Sequence, residues 1–355
     1  MLRDGATSAE SIPPYVAPFW LPGAHLQTIV PALFARLPVV AYRRERWNTP
    51  DGDFIDLDWL ADDGACDPAA PLLVLFHGLE GSSDSHYARA VMHAARLRGW
   101  RAVIPHFRSC GGEMNRAPRF YHSGDAAEID WILKRLDAPV LAIGVSLGGN
   151  ALLRWLGEHA AESPRRVRAA AAVSAPIDLA AGGHALAHGF NRVYTRHFLN
   201  TLKQKSLLKL AQYPALFDRE RMLAARNLHD FDDVVTAPLH GYRDADDYWR
   251  RASAKPILPE IAVPTLLLNA LNDPFLPAAA LARADQVSAA VTIEHPAAGG
   301  HVGFMRPMRA GAWRARAPDE RPSAGADDTT RHAAAGREDW LARRLLAFLA
   351  PYWSP

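Results

Sequence analysis

The sequence predicts an α/β protein, with a mainly parallel central sheet flanked by helices and interrupted by an inserted helical cap. Three observations predict it. From Leu72 onward, short apolar runs alternate with helical patterns, the rhythm of successive βαβ units. That rhythm breaks after Asp178, where only helical periodicity is found until Pro264. A Gly-x-Ser-x-Gly pattern, Gly144 to Gly148, falls where a strand run gives way to a helix run.

Taken in order, Val39–Trp47 and Phe54–Leu60 read as strands joined by a turn around Pro50-Asp51-Gly52, a hairpin-like antiparallel edge. Leu72–Phe76 reads as a buried strand, Tyr87–Leu97 as a helix, Arg101–Pro105 as a strand and Gly124–Leu136 as a helix. Val140–Val145, Leu147–Glu158 and Val167–Ser174 continue as strand, helix and strand. The insertion holds helical segments at Tyr194–Ala211 and Asp218–Ala225. Strands resume at Pro264–Asn269 and Val291–His295, and an amphipathic helix over Glu338–Leu349 closes the chain. The expected division is an N-terminal arm over 1–38, a core split into 39–178 and 261–355, and a cap over 179–260. Within the second core part, 310–336 is rich in Pro, Gly, Ala, Asp and Arg without apolar periodicity and reads as a mobile loop.

Composition narrows the function classes. With 49% hydrophobic and 22% charged residues, 355 residues suit one large globular core rather than a disordered chain. A net charge of +2, with arginines scattered among acids, argues against nucleic acid as a partner. Two cysteines, Cys66 and Cys110, build neither a disulfide framework nor a cysteine zinc site, and a reducing cytoplasm fits them best. Residues 1–10 lack the basic-then-apolar layout of a secretory signal, and no apolar run is long enough for a transmembrane segment. Peripheral membrane contact stays open, because an interfacial helix leaves a weaker trace.

The chemistry starts at Ser146. A serine wedged between strand and helix must turn sharply, and glycines two positions either side leave room for the crossing backbone, so the hydroxyl stands above the sheet. A hydroxyl needs a neighbouring base to become a nucleophile at neutral pH. His301, in Gly299-Gly300-His301-Val302-Gly303 after the last strand, is the candidate base. Asp273, after the strand ending at Asn269, is the candidate acid orienting it; Asp178, after the preceding strand, is the rival. The order Ser, Asp, His is that of the α/β-hydrolase fold. The backbone N–H groups of Leu79, after the first parallel strand, and of Leu147, after the serine, are the expected oxyanion hole. His77 reads as a support for that loop and Cys110 as a small buried residue. His184 and His188 lack the glutamate of a zinc-protease helix, so no metal and no cofactor is expected. The apolar residues Phe190, Phe198, Leu199, Leu207, Leu208 and Phe217 of the cap are divided between its own core and an acyl pocket.

The chain resembles the YheT-like branch of the α/β hydrolases, which includes eukaryotic esterases, phospholipases and acyltransferases. The resemblance rests on Trp20-Leu21-Pro22-Gly23-Ala24-His25-Leu26-Gln27-Thr28, His77-Gly78-Leu79-Glu80-Gly81-Ser82, Phe107-Arg108-Ser109-Cys110-Gly111-Gly112, Tyr121-His122-Ser123-Gly124-Asp125 and Asn272-Asp273-Pro274-Phe275, besides the serine motif. It implies a small-molecule carboxylic ester as substrate, with Ser146, Asp273 and His301 matching the family's triad. The 310–336 stretch departs from the family pattern. Two rivals share the same residues: acyl transfer to an alcohol in place of water, and a non-catalytic binding protein that keeps the fold.

Overall fold

The computed structural model describes residues 12–35, 38–61, 67–136, 138–305 and 339–353. Helix α1 (Gly23–Phe34) precedes the antiparallel pair β1 (Tyr42–Asn48) and β2 (Phe54–Leu60). Then follow β3 (Leu72–Phe76), α2 (His86–Leu97), β4 (Arg101–Pro105), α3 (Ala126–Arg135), β5 (Val140–Val145), α4 (Leu147–Glu158), the short α5 (Ser163–Arg166) and β6 (Val167–Val173). The strands form one eight-stranded sheet in the order β1-β2-β4-β3-β5-β6-β7-β8, with β7 (Thr265–Leu268) and β8 (Val291–Glu294) completing its far side. β2 runs antiparallel to both its neighbours, and every pair from β4 to β8 is parallel. The chain is therefore of the predicted α/β class.

Strand periodicity splits the core into two layers. Leu72, Val74 and Phe76 of β3 pack with Ile129, Leu133, Leu152 and Leu156 of α3 and α4. Leu73 and Leu75 point the other way, into a layer with Val91 and Met92 of α2 and Leu345 and Leu346 of the closing helix, α12 (Trp340–Leu349). All five residues of β3 are buried, as expected of a parallel strand covered on both faces. The edge strand β2 differs: Ile55 and Leu57 enter the core, while Asp56 and Asp58 stand directly opposite Arg46 and Arg44 of β1 and are bonded to them at 2.7 Å.

Between β6 and β7 the described chain is helical: α6 (Leu179–Leu186), α7 (Arg192–Gln212), α8 (Arg219–Ala224), α9 (Leu228–Phe231), a π-helical turn over Asp232–Thr236, α10 (Ala237–Leu239) and α11 (Ala245–Ala252). Side chains start four of them. Asp178, Asp218, Asn227 and Asp244 each accept a hydrogen bond from the backbone N–H three residues on. Leu199, Phe217, Met222, Phe231 and Val235 give this segment a small core of its own.

Two local expectations change. The first strand starts at Tyr42 rather than Val39, because Val39 is 85% exposed and lies before the β1–β2 register, which begins at Tyr42 opposite Leu60. The arm over 1–38, for which no element is expected from the sequence, holds α1 at Gly23–Phe34. The helix has no side-chain N-cap and carries Pro31 inside, and its buried residues are Gln27, Thr28 and Pro31, so the usual apolar-inward period is missing. Cys66, Glu338 and the 310–336 stretch lie outside the described residues.

Candidate active site

Ser146 links β5 to α4 at φ 51° and ψ −120°, a conformation that L residues rarely adopt. Its neighbours show why the flanking positions are glycine. A Cβ on Gly144 would lie 2.5 Å from the Gly148 carbonyl oxygen, and one on Gly148 would lie 2.4 Å from that of Phe76. The Ser146 N–H donates to the Val173 carbonyl at 2.8 Å, tying the turn to β6.

The structure brings Ser146, His301 and Asp273 together. His301 Nε2 is 2.9 Å from Ser146 Oγ, and His301 Nδ1 is 2.9 Å and 3.2 Å from the two Asp273 carboxylate oxygens. The Asp273 carboxylate is fully buried and also accepts the Phe275 N–H at 2.8 Å. Asp178 does something else: its carboxylate accepts the Ala181 N–H and starts α6. Phe275 stacks on the His301 ring with 4.0 Å between centroids and 24° between planes.

The loop after β3 carries Leu79. Gly78 N–H donates to Tyr87 Oη and Glu80 N–H to Tyr121 Oη, at 2.9 Å and 2.8 Å, whereas Leu79 N–H has no acceptor among the described residues. Leu147 is the first residue of α4, so its N–H has no carbonyl one turn back to reach. A Cβ on Gly78 would sit 3.2 Å from Ser146 Cβ, which measures how closely this loop approaches the serine. His77 holds the loop from below: one ring nitrogen accepts the Phe107 N–H at 3.0 Å and the other donates to the Gly78 carbonyl at 2.8 Å. Burial and the neighbouring His106 push its pKa down to about 3, so the ring is neutral.

Several contributors were invisible to motif reading. Gln27 and Thr28 of α1 lie beneath the histidine loop. Gly299 N–H donates to Gln27 Oε1 at 2.9 Å, His301 N–H donates to Thr28 Oγ1 at 2.9 Å, and Asn272 bridges by donating to Gln27 while accepting from Gly300 N–H. A Cβ on Gly303 would overlap the Gln27 carbonyl at 1.6 Å. Both residues fall inside the Trp20–Thr28 string that carried the resemblance, but nothing local shows what they touch. Lys205 of α7 had no signal at all. It pairs with Glu80 at 2.8 Å, fastening the helical segment to the Leu79 loop. Burial works against its charge, but the Glu80 carboxylate paired with it favours the ammonium, and its pKa is raised. Burial pushes the Cys110 thiol up to about 12, so it is no thiolate at neutral pH. His188 and His184 are joined by a ring-to-carbonyl hydrogen bond of 2.7 Å.

Ser146 and His301 line a cleft that encloses about 1100 Å³ with the adjoining open solvent included. Leu79, Leu147 and Phe275 line it, as do Leu179, Leu186, Phe198, Leu202, Leu228 and Phe231 of the helical segment. Of the apolar residues singled out in that segment, Phe198 lines the cavity, Leu199 and Phe217 form the segment's own core, and Phe190, Leu207 and Leu208 are exposed. His122, Asp232, Thr236 and His240 add polar groups to the wall. Asp232 accepts from Thr236 and Trp249, and burial raises its pKa to about 6.

An eight-stranded, mostly parallel sheet with a serine at a strained strand-to-helix turn defines a class, and the chain belongs to the α/β-hydrolase fold family, whose model matches residues 71–306. Within it, the chain is 43% identical over 288 residues to YheT of Escherichia coli (strain K12), a protein named as an inferred esterase, covering 79% of this chain and 84% of that one. It is 30% identical over 302 residues to mouse Phospholipase ABHD3, covering 82% and 73%. Among solved structures, mouse alpha/beta hydrolase domain-containing protein 10 aligns with a TM-score of 0.46 and 15% identity, over 73% of this chain and 91% of that one.

Proposed function

We propose that this protein hydrolyses carboxylic esters with apolar acyl groups through an acyl-enzyme on Ser146. The observation that carries the reading is the continuous line of hydrogen bonds from Asp273 through His301 to Ser146 Oγ in the lining of a largely apolar cavity. In the first step, Ser146 Oγ bonds to the ester carbonyl carbon while His301 Nε2 takes the hydroxyl proton. Asp273 stabilises the imidazolium and holds its Nδ1–H. Leu79 and Leu147 N–H receive the oxyanion, each worth about 3 to 4 kcal/mol in comparable sites. His301 returns the proton to the departing alcohol, then activates water to release the acid and regenerate Ser146. No step calls for a cofactor.

Residues 179–260 serve in this reading as a cap. The segment supplies much of the cavity wall, and the Lys205–Glu80 pair locks it to the oxyanion loop. Apolar walls favour an acyl chain, since each buried methylene contributes about 0.8 kcal/mol.

Turnover of p-nitrophenyl esters of increasing acyl length tests the proposal. Wild-type kcat/KM should rise beyond acetate until the cavity is filled, and folded Ser146→Ala should show neither turnover nor labelling by a fluorophosphonate. Wild-type-like turnover by that variant would remove Ser146 from the mechanism, and a maximum at acetate would remove the acyl pocket.

A further inference from the structure

Helix α1 faces inward with its polar side. Gln27 and Thr28 are buried because they bond to the His301 loop, and the cost is that the helix turns its apolar side to water: Leu26 is 44% exposed, Leu33 70% and Phe34 69%. Phe19, just before the helix, is 97% exposed. The surface continues onto the turn before α7 and the start of that helix, where Phe190 and Val193 are each more than half exposed. His25 joins the two parts, stacking on Phe190 at 4.4 Å and reaching Tyr194 Oη at 3.2 Å.

Charge on this face has one sign. Residues 12–35 contain no Asp, Glu, Lys or Arg, and the charged residues in the first two turns of α7 are both arginines, with no acid anywhere in that helix. Arg192 and Arg196 of α7 are exposed beside Val193. The face also adjoins the site: Tyr194 packs edge-on against Phe275 at 4.8 Å, and Phe275 stacks on His301. An apolar surface of this kind is rarely left to water, and apolar side chains next to cations are what an anionic membrane surface receives.

We propose that the outer face of α1, with Phe19 and the first turn of α7, docks on an anionic lipid bilayer and brings the Ser146–His301 site close to it. The proposal rests on the ester-hydrolase reading only for what docking would deliver; the docking itself needs no chemistry. Phe19, Leu33 and Phe34 enter the acyl boundary, and Arg192 and Arg196 meet the headgroups.

Flotation of the full chain with vesicles tests it. Wild type should float with vesicles of phosphatidylcholine and phosphatidylglycerol, more weakly with phosphatidylcholine alone and more weakly at high salt. The triple variant Phe19→Ser, Leu33→Ser, Phe34→Ser should lower partitioning about tenfold or more, while hydrolysing a water-soluble p-nitrophenyl ester as wild type does. Arg192→Glu with Arg196→Glu should abolish the preference for anionic vesicles. Ser146→Ala should float like wild type, so loss of catalysis and loss of docking are separate results. Absence of wild-type flotation, or equal flotation by the triple variant, overturns the proposal. So does a lipid-free dimer that the triple variant dissolves, which would assign the face to a second copy of this chain.

Discussion

At Ser146 the backbone is held in a left-handed conformation costing about 1 to 3 kcal/mol, and the hydrogen bond to Val173 and the tight Gly144 and Gly148 contacts hold it there. The two aspartates that sequence reasoning weighed for the acid have separate tasks at this scale. Asp273→Asn should keep the side-chain shape but lose the charge facing His301, cutting kcat by up to about 10⁴-fold. Asp178→Ala should leave kcat nearly unchanged and cost about 0.5 to 2 kcal/mol of stability, the usual loss for a helix cap. Steady-state kinetics and denaturant melts on the two variants separate these outcomes. Large kinetic damage from Asp178→Ala with little from Asp273→Asn would reverse the assignment.

At the scale of elements, α1 and α7 both act on the site from outside the sheet. α1 supports the histidine loop through Gln27, which receives hydrogen bonds from Gly299 and Asn272 and donates to the Leu21 carbonyl at 2.8 Å. Gln27→Leu keeps the bulk and removes both functions, leaving Gly299 N–H buried without a partner. The loop should loosen, and kcat should fall by up to about 10²-fold with KM little changed, because misplacement of a reacting group costs mainly the chemical step. Gln27→Glu retains the acceptor and should recover much of the rate. Equal losses in both variants would mean that Gln27 serves stability alone. α7 works from the other side through Lys205, so the Leu79 loop and the histidine loop are each braced by a helix outside the sheet.

For the whole molecule, buried histidines set the response to acid. Burial lowers the pKa of His77 and His122 to about 3, and lowers those of His86 and His240. A folded pKa below the unfolded value of about 6.5 means that the unfolded chain takes up a proton the folded one refuses. The stability these groups contribute is complete above pH 6.5 and is lost as pH falls toward their folded values. Asp232 and Asp339, which burial raises to about 6, act in the opposite sense: the folded state favours their neutral form, so they gain stability as pH falls from 6 toward 3.8. Burial lowers the pKa of His93 as well and raises that of Glu128 to about 7, so five histidines stand against three acids among the described residues, and Tm should fall as pH is lowered from 7 to 5. A Tm that rises over that range would show that the carboxyls dominate.

The sequence by itself determined the sheet and the serine turn. The spans of β2, β3, β4, β5 and α4 could be read to the residue, because strand and helix periods are local and the glycine spacing around Ser146 answers a local steric demand. That His301 comes within hydrogen-bond distance of both Ser146 and Asp273 was likewise legible from chain order, since parallel strands deliver their following loops to one edge of the sheet. Only the tertiary structure decided what supports them. Gln27 reaches Gly299 across 272 positions of sequence and Lys205 reaches Glu80 across 125, and such contacts leave no period in the chain. For the same reason α1 escaped detection: its inner face answers to a loop at the other end of the protein, so its apolar side faces water and the pattern that announces a helix is turned inside out.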